Sequence, residues 1–129
     1  MFPEDLRYTT EHEWIRAEGG VWTVGITAHA AELLGDVTYV EPAEPGQKVK
    51  KGQSVSAVES VKAASDVYAP CGGTVSEANA QLEDAPDLVN QDPYGEGWFF
   101  KLEEVKETEF NALMDATAYA AYVKEQEDA

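Results

Sequence analysis

Ala57-Val58-Glu59-Ser60-Val61-Lys62-Ala63-Ala64-Ser65-Asp66-Val67-Tyr68-Ala69-Pro70 decides how this chain is read, because it sets one lysine between two β-type half-repeats. Upstream, Val55, Ala57 and Val58 are apolar. Downstream, Val67 and Ala69 alternate with polar positions until Pro70 and Gly72-Gly73 end the run. The small residues Ser60, Ala63 and Ser65 predict a tight reversal at the centre. Lys62 then stands at a hairpin tip. A lysine there suits covalent attachment of a prosthetic group: its amine is exposed, and the paired strands give a swinging arm a fixed base.

The two half-repeats extend outward from this tip. Val49, Gly52, Val55 and Val58 form one arm, and Val67, Ala69, Gly73 and Val75 form an approximate second arm, predicting a β-sandwich of short strands. Before them, His12 to Ala17 and Val21 to Ile26 alternate around a Glu18-Gly19-Gly20 turn and read as a hairpin. Thr27 can cap a short helix from Ala28 to Leu34, closed by Gly35. Val37-Thr38-Tyr39-Val40 is β-branched and aromatic, hence a strand. Residues 79 to 97, rich in Asn, Asp, Pro and Gly, read as a long ordered loop, and Trp98 to Leu102 as a returning strand. Phe110, Leu113, Met114, Thr117, Ala118, Ala121 and Tyr122 follow the helical period, with Asp115 as an N-cap dividing two short helices. After Val123 the acidic tail is expected to fray.

Composition narrows the classes of function. At 129 residues the chain reads as one domain, with a core from about 7 to 123 and an acidic tail from 124 to 129. A chain of this size buries about two-thirds of its unfolded surface, so it needs neither metal nor disulfide to fold. The 9 Lys and Arg against 25 Asp and Glu give a net charge of −16, which argues against nucleic-acid and acidic membrane surfaces. That balance suits a soluble monomer that meets larger proteins transiently. No apolar run approaches the roughly 20 residues of a membrane span, and the N-terminus carries no basic, apolar or arginine-rich leader pattern, so a cytoplasmic location is expected. Cys71 is the single cysteine, read as a small, partly buried filler. His12 and His29 stand at no metal-ligand spacing, so no metal is expected.

Lys62 differs from the exposed candidates Lys48, Lys50 and Lys51 in its neighbours. Glu59, Ser60, Val61 and Ala63, with Asp66 beyond, supply an identity mark that a modifying enzyme can read. The segment from Glu59 to Pro70 closely resembles the lipoylation segment of the glycine cleavage system H protein family. So do Tyr8 to Trp14, Thr23 to Thr27, Leu34-Gly35-Asp36, Pro45-Gly46, Asn90 to Trp98 and Asp115 to Tyr119, in order, over residues 7 to 123. Cys71 departs from the pattern, where an aliphatic or small residue is usual.

The resemblance implies a mainly β fold, a lipoyl/biotinyl-type barrel–sandwich hybrid with short helices in the middle and at the C-terminus. It implies lipoate in amide linkage on Lys62, and a substrate-shuttling carrier with no catalytic residues of its own. The implied partners are a pyridoxal-phosphate glycine decarboxylase, an aminomethyltransferase serving tetrahydrofolate, dihydrolipoamide dehydrogenase and the lipoate-attaching enzymes. The loaded aminomethyl arm would fold into a surface cleft. A cationic cargo calls for carboxylates, and Glu11, His12, Glu13 and Asp66 are the candidates for its walls.

Other readings fit less well. A biotin carrier flanks its lysine with methionine, whereas Val61 and Ala63 stand here. A lipoyl domain of a 2-oxoacid dehydrogenase acyltransferase sits in a longer chain with flexible linkers. An H-like lipoate relay would carry the same modification site. An enzyme using Lys62 as nucleophile would need a desolvated amine with a pKa well below the usual value of about 10.4, which a turn between Ser60 and Ser65 does not provide.

Overall fold

The computed structural model describes residues 2–128. Nine strands form two antiparallel sheets: β1 Arg7–Tyr8, β2 Glu13–Glu18, β3 Val21–Ile26, β4 Val37–Glu41, β5 Lys48–Val49, β6 Ser54–Ser60, β7 Ala64–Tyr68, β8 Gly73–Ala78 and β9 Phe100–Glu103. One sheet has the order β1-β2-β3-β9-β8-β5 and the other β4-β6-β7. Neither closes on itself, so the barrel–sandwich expectation is met as two open sheets with helices added. The helices are α1 Ala28–Leu34, α2 Gln81–Asp84, α3 Leu88–Gln91, α4 Glu107–Asn111 and α5 Ala116–Glu127.

The two arms predicted on either side of Lys62 pass from one sheet to the other together. β6 pairs with β7 in the three-stranded sheet, and β5 pairs with β8 in the six-stranded sheet. The fold-over is fastened by Gly52 N–H to Ala69 O and Ala69 N–H to Gln53 O, both 2.8 Å. Gly52 sits at φ 86°, a left-handed conformation that glycine adopts without a Cβ penalty. Inward-facing Val40, Val58 and Val67 meet Ile15, Val24, Val75, Phe100 and Leu102 in one core drawn from both sheets. A second, aromatic cluster joins Leu6, Tyr8 and Trp14 to Tyr119 and Val123 of α5.

The caps read from sequence act as expected. Thr27 Oγ1 accepts from Ala30 N–H, and Asp115 Oδ1 accepts from Ala118 N–H at 2.8 Å. Three segments differ from the sequence reading. Residues 79–97 hold α2 and α3 rather than continuous loop, because Leu82 and Val89 are buried and pin a turn of helix each. The returning strand begins at Phe100, since the Trp98 carbonyl is taken by the Asn79 side chain at 2.7 Å. Finally, α5 runs on to Glu127 where fraying was expected, with Gln126 Nε2 donating to Tyr122 Oη at 2.8 Å.

Candidate functional site

The reversal between β6 and β7 is built by Ser60. Its backbone N–H donates to Ala63 O at 2.8 Å, and its hydroxyl oxygen accepts from Ala63 N–H at 3.1 Å. Val61, Lys62 and Ala63 are exposed at the tip, with Glu59 exposed on the strand below. The tip rests on the turn after α1. Val61 N–H donates to Asp36 O at 3.0 Å, and a Cβ built on Gly35 would stand 3.3 Å from Lys62 Cε and 3.6 Å from Val61 Cγ2. Gly35, at φ 75°, thus lets the lysine stem lie across the backbone.

Asn90 holds this support in place. Its Oδ1 accepts from Val37 N–H at 2.9 Å and its Nδ2 donates to Gly35 O at 2.8 Å. Sequence reasoning took Gly35 as a helix stop and did not single out Asn90 as a support. Its partners lie more than fifty residues away, so nothing local marks it.

All four residues expected to wall a cargo cleft do line one cleft, of about 180 Å³, together with Leu33 and Leu34 of α1. It runs between α1, the β1–β2 turn and residues Ser65, Asp66 and Val67 of β7. Glu11 and Glu13 also border a larger groove of about 460 Å³ that extends past Tyr68 toward Met114. The four candidates differ greatly in their surroundings. Glu11 and Asp66 are exposed, and Asp66 Oδ1 accepts from Ser54 Oγ at 3.2 Å.

Glu13 is buried, with 2% of its surface exposed, rather than a solvated strand-edge residue. Thr9 Oγ1 donates to its Oε1 at 2.6 Å and Tyr68 N–H to its Oε2 at 3.0 Å. Both donors are neutral, and among the described residues the only ion pair is Lys101–Glu77. Burial therefore dominates over the two hydrogen bonds and raises the Glu13 carboxyl to about 7, with Glu11 adding repulsion.

His12 is a structural hub. It holds the unusual φ of 70°, and its Nδ1 lies 2.8 Å from Tyr119 Oη, which in turn lies 2.8 Å from Thr27 Oγ1. This chain ties the β1–β2 turn to α5 and to the cap of α1. Burial, helped by neighbouring His29, lowers the His12 pKa. Cys71 is a filler as expected, but fully rather than partly buried, and burial pushes its thiol up to about 11. No group of three or more metal-ligating side chains occurs among the described residues.

The family model for Glycine cleavage H-protein matches residues 6–126 of this chain. The chain is 58% identical over 118 residues to the glycine cleavage system H protein of Laribacter hongkongensis (strain HLHK9), covering 91% of this chain and 93% of that protein. It is 52% identical over 123 residues to the protein of the same name from Symbiobacterium thermophilum, covering 95% and 96% of the two. The crystal structure of a glycine cleavage system H protein from Mycobacterium marinum superposes with a TM-score of 0.83 at 38% identity, covering 93% of this chain and 97% of that one.

Proposed function

We propose, from the premise that this chain belongs to the glycine cleavage H-protein family, that it is the lipoyl carrier of that system and bears lipoate in amide linkage on Lys62. The observation that carries this reading is the exposed lysine on a hydrogen-bonded turn, its stem laid over Gly35 and its base clamped by Asn90. The residues present fit the group: the amine is free of any ion pair among the described residues, and the turn holds its point of attachment still. Glu59, Ser60, Val61 and Ala63 form the surface that a lipoate-attaching enzyme reads.

Bound lipoate supplies the redox-active sulfurs that take up a one-carbon cargo, so the hard chemistry lies with the cofactor and the partner enzymes. The chain's own residues shelter and orient. Glu11, Glu13 and Asp66 present carboxyl groups to the cleft, while His12 holds the turn that carries them. Leu33 and Leu34 make the opposite wall apolar and limit access of water. A cation arriving there would favour the ionised form of Glu13. The partners proposed are glycine decarboxylase, the tetrahydrofolate-dependent aminomethyltransferase and dihydrolipoamide dehydrogenase, met in turn by a cytoplasmic monomer.

Peptide mass mapping of protein produced in a lipoylating host tests the modification directly, with the added mass expected on Lys62 alone. Glycine-dependent bicarbonate exchange with purified decarboxylase tests the role, and Lys62→Arg should abolish it. Normal exchange by the arginine variant would overturn the carrier assignment.

A further inference from the structure

Among the described residues, the large apolar side chains left exposed are Leu33 (61%), Tyr39 (51%) and Val61 (67%). Single exposed apolar residues are ordinary on a protein surface, but these three lie around one feature. Val61 is at the hairpin tip and packs toward Gly35, two residues beyond Leu33 at the end of α1. Tyr39 sits opposite Glu59 across the β4–β6 ladder and so shares its outward face. Apolar groups therefore stand around the base of Lys62.

The rim around them is acidic. Glu32, Asp36, Glu41 and Glu59 are all exposed. No Arg or Lys occurs between Arg16 and Lys48, and between Lys51 and Lys101 the sole basic residue is Lys62. Acylation removes that last positive charge, leaving a surface of one sign. The patch is also held rigid: Val61 N–H bonds Asp36 O, Thr38 Oγ1 bonds Glu59 O at 3.2 Å, and Asn90 clamps residues 35 to 37. A preorganised surface loses little freedom on docking.

We infer that Leu33, Tyr39 and Val61, ringed by these carboxylates, form the docking face for a partner enzyme whose active-site mouth is an apolar recess rimmed with Arg and Lys. The inference rests on the carrier reading above, since the partner must accept the arm on Lys62 while seated on this face. Apolar anchors at the centre supply the hold, and the rim charges steer the encounter and set its salt dependence.

The test uses the full-length lipoylated protein, with complete modification checked by intact mass, as the varied substrate in bicarbonate exchange with purified glycine decarboxylase. The double variant Tyr39→Ser/Glu41→Gln leaves the lysine turn and the cargo cleft untouched. It should raise KM about tenfold, equivalent to about 1.4 kcal/mol, with kcat unchanged. The wild-type KM should rise between low and high salt, and the variant's should rise less. A variant KM within twofold of wild type overturns the docking face while leaving the carrier reading intact, whatever the salt dependence of the wild type. A lipoylated wild type that supports no exchange overturns the carrier reading, and this inference with it.

Discussion

Glu13→Gln should abolish a pH dependence that the wild-type fold carries in its cleft wall. The Glu13 carboxyl rises from an ordinary 4.5 to about 7 because it is buried between two neutral donors, Thr9 Oγ1 and Tyr68 N–H, with no cation beside it. The folded chain therefore keeps a proton that the unfolded chain gives up. Wild-type stability from this group is undiminished below about pH 4.5, falls as pH rises through about 7, and is level above that. At about 1.4 kcal/mol for each tenfold change in proton affinity, the full loss is about 3 kcal/mol. Glutamine keeps the volume and the acceptor for Tyr68 N–H, and its amide can donate to the Thr9 oxygen, much as the protonated acid does. Urea unfolding of both proteins at pH 5, 6, 7 and 8 measures the difference. The variant should exceed wild type by about 1 kcal/mol at pH 5 and by about 3 kcal/mol at pH 8, with equal m-values. A constant difference across that range would refute the claim that Glu13 is buried without a compensating charge.

The fold yields further expectations. Gly25→Ala would place a Cβ 2.6 Å from Trp14 Cζ2 in the aromatic cluster, and Trp14 is fully buried with no room to retreat. Such overpacking should cost about 1–3 kcal/mol, seen as a lowered midpoint in thermal or urea unfolding, and an unchanged midpoint would contradict the packing described. The Cys71 thiol, buried and raised to about 11, should resist a disulfide reagent at pH 8 in the native state and react at once in denaturant.

Local chemistry was legible wherever a few neighbouring residues suffice to specify it. The Ser60–Ala63 reversal, the Thr27 and Asp115 caps and the exposure of Lys62 follow from turn, cap and alternation rules that act within four residues. Longer stretches misled where a single buried side chain outweighed a polar setting. Leu82 and Val89 draw residues 81–91 into two turns of helix despite their loop-like composition. The sequence shows two approximate arms about the Ser60–Ala63 turn, yet their passage into the other sheet depends on the Gly52–Ala69 and Gln53–Ala69 bonds.

The sequence by itself determined that this chain presents a single lysine on a hairpin tip, within a mainly β frame of the glycine cleavage H-protein family. Only the tertiary structure decided the condition of the residues around it. Glu13 and Asp66 read alike as carboxylates in a row of polar residues, yet one is buried and holds its proton to about 7 while the other stays exposed. Glu13 reaches Tyr68 across 55 residues, and Asn90 reaches Gly35 across 55 and Val37 across 53. Bonds at that range leave no periodic or neighbouring mark in the chain. They arise only when the two sheets close over a common core and take these groups out of water.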